Sequence, residues 1–549
     1  GTSLAQIADR AFFQSGLTAV EFLGNGKVSV GDAAFSECVS LKRVGFAQGV
    51  FELGKNLFSG CTKLETVSIE ASVKQMGSHM FSGCTALTSV SLGAGVESLG
   101  ANMFEGCTAL PAAVFPEGVE ELPDHMFSGC TKIARAELPD TVTGIGANVF
   151  AGCSGLKEVV FSENTETVGT LAFKNCTGLK EIVIPESVKS FEIGAFSGCS
   201  GLLRITLPFV GASREHEKAS AETLFGYIFG STAYEGGTVA SQHFSDKGYC
   251  GYILPDSLTE VTVTGGALLD GAFDHCAGLK KVTLTEEVNQ MGSGVFGDCT
   301  GLTEVNLPGT LTALSPNTFH GCVKLAEIAI PDSVTSIGVN AFSGCVLLSD
   351  IQLPEGLLSI GAGAFKGCAG LEDITFPEQI TGIENEAFAG CTKLTAVELP
   401  DRIVTVGKEA FAGCTGILRV ALPATMTEIG IGAFKDCTKI TSVTVPGKIT
   451  AVAESLFSGC KALKTVTFSG GVETIGKGAF SGCVLLERVT LPDTVTAVGD
   501  EAFSGCAALS AIALPDGIES IGAGAFKGCI GITEITVPNG AATIGSGAF

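Results

Sequence analysis

Apolar residues recur along this chain with neither the 2-residue period of a strand nor the 3.6-residue period of a helix. Their period is 23. In residues 81–104, FSGCTALTSVSLGAGVESLGANMF, the apolar positions are Phe81, Cys84, Leu87, Val90, Leu92, Val96, Leu99 and Met103. Leu87 to Leu92 reads L-x-x-V-x-L, and the alternation at its end predicts a short strand. Pro often follows, as at Pro139, Pro185, Pro331 and Pro400. It has no N–H to donate and ends the ladder there. Gly follows the third apolar cluster, as at Gly100, Gly146 and Gly338, which predicts a tight turn.

An anchor Phe repeats from Phe12 to Phe196 and again from Phe273 to Phe549, always in steps of 23, and this ladder takes 22 of the 35 Phe. Cys stands three residues after the anchor from Cys38 to Cys199 and from Cys276 to Cys529, which accounts for 20 of 21 Cys. The first repeat is degenerate, with Ser15 in that slot. So short a unit cannot bury its own apolar face, and stacking on copies of itself turns each slot into a continuous core ladder. The pattern predicts a solenoid with one parallel strand per coil. The register breaks once: Phe196 and Phe273 are 77 residues apart, three periods plus 8. Strands are expected at 202–207 and 258–263. The reading is therefore 1–207 for the N-terminal part of the solenoid, 208–257 for an insertion loop leaving it, and 258–549 for the C-terminal part. Phe549 falls inside a repeat, so the chain reads as a piece of a longer protein.

L-x-x-V-x-L-P, a second apolar cluster, Gly and A-F-x-x-C together resemble the BspA-like leucine-rich repeats. The copy AFSGCVLLSDIQLPEGLLSIGAGAF (341–365) shows the match. The interrupting segment, with LPFVGASREHEKASAETLFGYIFG and YCGYILPDSLTEVTVTGG, is similar to an insertion of bacterial members. The resemblance implies a leucine-rich-repeat solenoid. Its parallel sheet would lie on the concave face, with short strands, 3-10 turns and loops on the other. It also implies an extracellular or cell-surface bacterial protein with no catalytic residues to transfer. The expected function is non-enzymatic protein binding or adhesion, with a protein on a host or another cell as ligand. A structural spacer and an accessory region of a larger secreted enzyme are the alternatives.

Composition narrows this further. The net charge of -24 argues against nucleic acid and anionic membrane surfaces, which need clustered Lys and Arg. No apolar run approaches the roughly 20 residues of a spanning helix, so no membrane insertion is expected of this stretch. Metal sites want Cys pairs two to four residues apart, whereas the ladder Cys are 23 apart. They read as buried, reduced thiols, and Cys250 lies off the ladder. GSGVFG (292–297) has the form G-x-G-x-x-G but sits in an ordinary repeat, without the strand before and helix after that a dinucleotide needs. No pair among His79, His125, His216, His243, His275 and His320 has ligand spacing along the chain, so neither a metal nor a cofactor is expected. Acidic residues after the strand Pro, such as Asp140, Glu186, Asp332 and Asp401, read as solvated turn residues.

The strand face predicted to point outward is small, polar and of mixed charge: Lys42, Arg43 and Gly45; Glu65, Thr66 and Ser68; Lys280, Lys281 and Thr283; Glu372, Asp373 and Thr375. It lacks the aromatic and Arg clusters that anchor interfaces. The insertion holds all four Tyr of the chain, and loops on rigid scaffolds commonly carry binding. The candidate binding residues are Phe225, Tyr227, Tyr234, His243, Tyr249 and Tyr252. The same aromatics would equally serve as a small core for the loop.

Overall fold

The computed structural model describes residues 4–23, 27–46, 49–69, 73–116 and 118–549. Residues 1–3, which read as a cloning remnant, lie outside them. The chain divides into two compact units, Gly1–Val288 and Asn289–Phe549.

Each unit is a β-solenoid whose coil is the repeat. In the first, Thr66–Ile69 pairs in parallel with Ser89–Leu92, placing Thr66 opposite Ser89 and Val67 opposite Val90, 23 residues on. A second, narrower parallel ladder joins Glu121–Leu122, Gly144–Ile145, Thr167–Val168 and Ser190–Phe191 at the same step. The second unit repeats both ladders. Ser442–Val445 pairs with Thr465–Phe468, and Ala451–Val452 with Thr474–Ile475. Alternation puts Val67 and Val443 inside, while Thr66 and Ser442 face out.

The third side of each coil is the turn that carries the anchor. Phe rings stack coil upon coil in near-parallel pairs, 5.8 Å and 4° for Phe58–Phe81 and 5.3 Å and 2° for Phe503–Phe526. The Phe81 N–H donates to the Met103 carbonyl of the next coil. The Phe58 carbonyl accepts two bonds, one from the N–H of its own Cys61 at 3.1 Å and one from the thiol of Cys84 in the following coil at 3.2 Å. This explains the Cys slot. It needs a side chain small enough for the core with one weak donor aimed at a buried carbonyl. All 21 Cys are free thiols. Burial pushes the thiols of Cys61, Cys153, Cys199, Cys345 and Cys483 up to about 12.

The glycines fall into two classes, and one expectation is corrected. Gly83 and its equivalents, two residues after the anchor, hold left-handed backbone, with φ 76° at Gly83. Gly100, Gly146 and Gly338 are not in that region. They are required because coils approach closely: a Cβ at Gly100 would lie 2.3 Å from the Ser78 nitrogen. It is contact with the preceding coil, and not the turn itself, that excludes a side chain there.

Around the insertion the strands are β1 (Glu181–Val183), β2 (Arg204–Leu207), β3 (Gly237–His243), β4 (Tyr249–Pro255), β5 (Glu260–Val263) and β6 (Lys281–Leu284). β2 pairs directly with β5, Arg204 opposite Glu260, so the first sheet runs β1-β2-β5-β6 across the insertion without a gap. The inserted residues take the rest of one enlarged coil. Two short 3-10 turns, Ala221–Thr223 and Phe225–Ile228, are followed by the antiparallel hairpin β3–β4.

The insertion does more than leave the solenoid and return. The Phe196 N–H, which in a regular coil would reach the next anchor turn, donates to Ile228 O at 2.8 Å, and the Phe225 N–H donates to Ala272 O at 2.8 Å. Two rings fill one anchor slot: Phe229 lies 6.5 Å from Phe196, and Phe225 lies 4.9 Å from Phe273. Phe209 packs on Phe191 at 5.3 Å. The insertion thus supplies the missing rung of the Phe ladder.

Candidate functional site

Gln242 shows how the hairpin is held. Its side chain is fully buried. The amide accepts from the Gly226 N–H at 2.7 Å and donates to Ala272 O at 3.1 Å and toward Cys276 Sγ at 3.4 Å. Ala272 precedes the anchor Phe273, and its carbonyl also takes the Phe225 N–H, as the carbonyl before the anchor does in a regular coil. The Tyr252 hydroxyl donates to Ala221 O at 2.9 Å, and Tyr234 to Ile253 O at 3.1 Å. A Cβ at Gly226 would meet Tyr252 Cβ at 2.3 Å, so the second 3-10 turn lies flat against the hairpin.

The six candidate residues separate into two groups. Phe225 is fully buried and Tyr252 is 4% exposed. Tyr227 and Tyr234 are half-buried, and burial raises the hydroxyls of Tyr227, Tyr234 and Tyr252 above the ordinary tyrosine range. These four side chains hold the insertion on the coil. His243 and Tyr249 are exposed, directly opposite each other at the turn end of the hairpin, with rings 5.6 Å apart. Val239 joins them on the outward face of β3, at 59% exposure beside the 64% of Tyr249.

The hairpin end also meets the next anchor turn. Asp274 Oδ2 takes the His243 backbone N–H at 2.8 Å, His243 Nδ1 at 2.9 Å and His275 Nδ1 at 2.7 Å. The two imidazole rings are 5.0 Å apart. One ligand atom from each of the three residues lies within 4.8 Å of the others. Thirty-two residues separate the histidines, so spacing along the chain does not reveal this cluster. His275 adopts left-handed φ of 56°, at a position that is Gly in most coils. Glu37, Asn175, Asp298 and Asp436 also replace Gly in that slot, so the departure by itself does not mark the cluster in the sequence.

The strand face differs. Arg204 lies between Glu181 at 3.5 Å and Glu260 at 3.0 Å, and Arg135 reaches Glu158 at 3.1 Å. These pairs are exposed and contribute about 0–1 kcal/mol each. In the second unit, residues 372–376 form no strand. A groove of about 700 Å³ opens there, lined by Glu372, Asp373, Phe376, Glu378, Glu398 and Arg419 among others. Among the described residues no helix is long and apolar enough to cross a membrane.

The sequence profile of the BspA type leucine rich repeat region (6 copies) matches residues 5–134, 130–213, 267–395, 381–510 and 496–549. The chain belongs to this family. The profile leaves 214–266 unmatched, which is most of the insertion. Similar solved structures include a leucine-rich repeat protein from Bacteroides ovatus, at 22% identity over 78% of this chain and 87% of that one, TM-score 0.31. A leucine rich cell surface protein from Faecalibacterium prausnitzii is 22% identical over 83% and 88%, TM-score 0.28. A leucine rich repeat protein of T. pallidum is 25% identical over 38% and 90%, TM-score 0.28. A comparison with curated protein sequences finds no match.

Proposed function

We propose that this chain is a non-enzymatic protein-binding or adhesion module of a bacterial surface or secreted protein, and that the inserted hairpin, more than the strand face, meets the partner. The observation that carries this is the outward face of the hairpin. Val239, His243 and Tyr249 are exposed together on a pair of strands that buried Phe225, Tyr252 and Gln242 lock to the coil. A rigid aromatic with an apolar neighbour is the usual anchor of a protein interface, and a preorganised loop loses little entropy on binding. The repeats provide the scaffold, and charged outward strand residues such as Arg135, Glu158, Glu181 and Arg204 are paired among themselves.

The test is surface-plasmon resonance of immobilised chain against a panel of host matrix proteins and intact bacterial cells. The variants Val239→Ser and Tyr249→Ser, both at exposed positions, should fold as the parent does, with stability changed by about 0.5 kcal/mol or less. They should weaken whatever binding the parent shows by tenfold or more. Binding that survives both changes but falls on Glu398→Lys would move the site to the acidic groove. No binding in any arm would favour a spacer that holds another domain away from the cell.

A further inference from the structure

We propose that His243, Asp274 and His275 form a site for one divalent transition-metal ion of the zinc class, clamping the inserted hairpin to the coil beneath it. Two imidazoles and one carboxylate converge, Nδ1 to Oδ2, at 2.9 Å and 2.7 Å. An ion bound at about 2.0–2.2 Å from each donor holds the donors about 3.3 Å apart in tetrahedral geometry. The two contacts to Asp274 need to open by about half an ångström, and all three donor atoms already lie within 4.8 Å of one another. Imidazole and carboxylate together suit zinc and its neighbours better than magnesium or calcium, which take oxygen ligands.

Three further features separate this cluster from a chance surface contact. The Asp274 side chain is 11% exposed, so its charge is largely removed from water and calls for a cation. The histidine side chains are 45% and 38% exposed, which leaves a solvent-facing side for a fourth ligand, as in three-ligand zinc sites. The local backbone is also adapted to it. The two residues after the anchor read Ser-Gly in coils such as Ser59-Gly60, Ser82-Gly83 and Ser128-Gly129. In the coil that meets the hairpin they read Asp274-His275. His275 holds the left-handed conformation of that slot, which Glu37, Asn175, Asp298 and Asp436 hold in other coils, so a side chain is tolerated there and a ligand can be offered from it. Gly271 stands where a Cβ would fall 1.6 Å from the His243 carbonyl oxygen, so the hairpin end docks only on a glycine.

The experiment titrates the reduced chain, residues 1–549, with Co2+ and with Zn2+, followed by calorimetry and, for cobalt, by visible absorption. One equivalent should bind. The cobalt complex should show weak visible bands of nitrogen and oxygen ligation, without the intense near-ultraviolet band of thiolate ligation. His275→Gly restores the residue of the other coils at a conformation Gly prefers, so it should fold, and it should weaken binding by at least about tenfold, as should His243→Ala. The proposal is overturned if the parent binds no stoichiometric metal, if a thiolate band appears, or if His275→Gly binds as tightly as the parent.

Discussion

The regular coils and the enlarged coil at 208–257 solve the same packing problem with different chemistry. In a regular coil one Phe ring stacks almost parallel on the next, as Phe150–Phe173 do at 5.4 Å and 11°, and a thiol from the next coil reaches the Phe carbonyl. In the enlarged coil two tilted rings, Phe225 and Phe229, fill the slot, and the amide of Gln242 takes up the anchor-turn hydrogen bonding. The comparison teaches that the solenoid tolerates a change of sequence but not an empty rung. Nearest-neighbour stacking makes every coil depend on the one beside it, so an insertion survives only if it rebuilds the core it interrupts. Having done so, it is free to expose Val239 and Tyr249 on its outer side.

The largest effect should come from removing the rebuilt rung. Deleting residues 209–253 and joining the strands with a short turn takes out Phe209, Phe225 and Phe229, all at most 1% exposed. Single truncations of such buried Phe cost about 3–5 kcal/mol. The deletion variant should lose cooperative melting of the first unit, with hydrogen exchange fastest in the coils of Phe196 and Phe273. A variant that melts like the parent would show the insertion to be a dispensable excursion. Within the regular array, Phe388→Ala should cost about 3–5 kcal/mol, because Phe388 is fully buried between Phe365 at 5.2 Å and Phe411 at 5.4 Å. Exchange should rise first in those two adjoining coils. Protection that stayed intact there would contradict nearest-neighbour coupling.

A smaller effect separates thiol from amide. Burial raises Cys153 from 9.0 to about 12. Below pH 9 both folded and unfolded thiols are neutral, and nothing is gained or lost. Above it the unfolded chain ionises while the folded one does not, so stability falls as pH rises from 9 to about 12. The slope is about 1.4 kcal/mol per pH unit for each such thiol. Urea midpoints at pH 8 and pH 10 should therefore diverge, and Cys153→Ala should reduce the divergence by one thiol's share. Gln242→Ala should destabilise equally at both pH values, by about 1–3 kcal/mol, since it leaves buried partners unpaired at any proton concentration.

Much of the molecule was legible in the sequence. The 23-residue step carries the fold because every copy repeats the same burial pattern, and the same number reappears as the pairing offset of both ladders, Thr66 to Ser89 and Gly144 to Thr167. The anchor Phe, the buried free thiols and the outward position of Thr66 follow from periodicity alone. The role of Gly100 did not, because the clash that requires it involves Ser78, one coil back, and the sequence pattern was equally consistent with a turn. Within the insertion, periodicity is absent, and tertiary structure had to decide which aromatics are core and which are surface. Composition marks Tyr249 and Tyr252 alike. The hairpin register turns Tyr252 onto Gly226 and Tyr249 into solvent, since contacts between residues far apart in sequence, and not local propensity, set burial there. The meeting of His243 with Asp274 and His275 has the same origin: the hairpin ends on the turn of the following coil, and that proximity exists only once the coils are stacked.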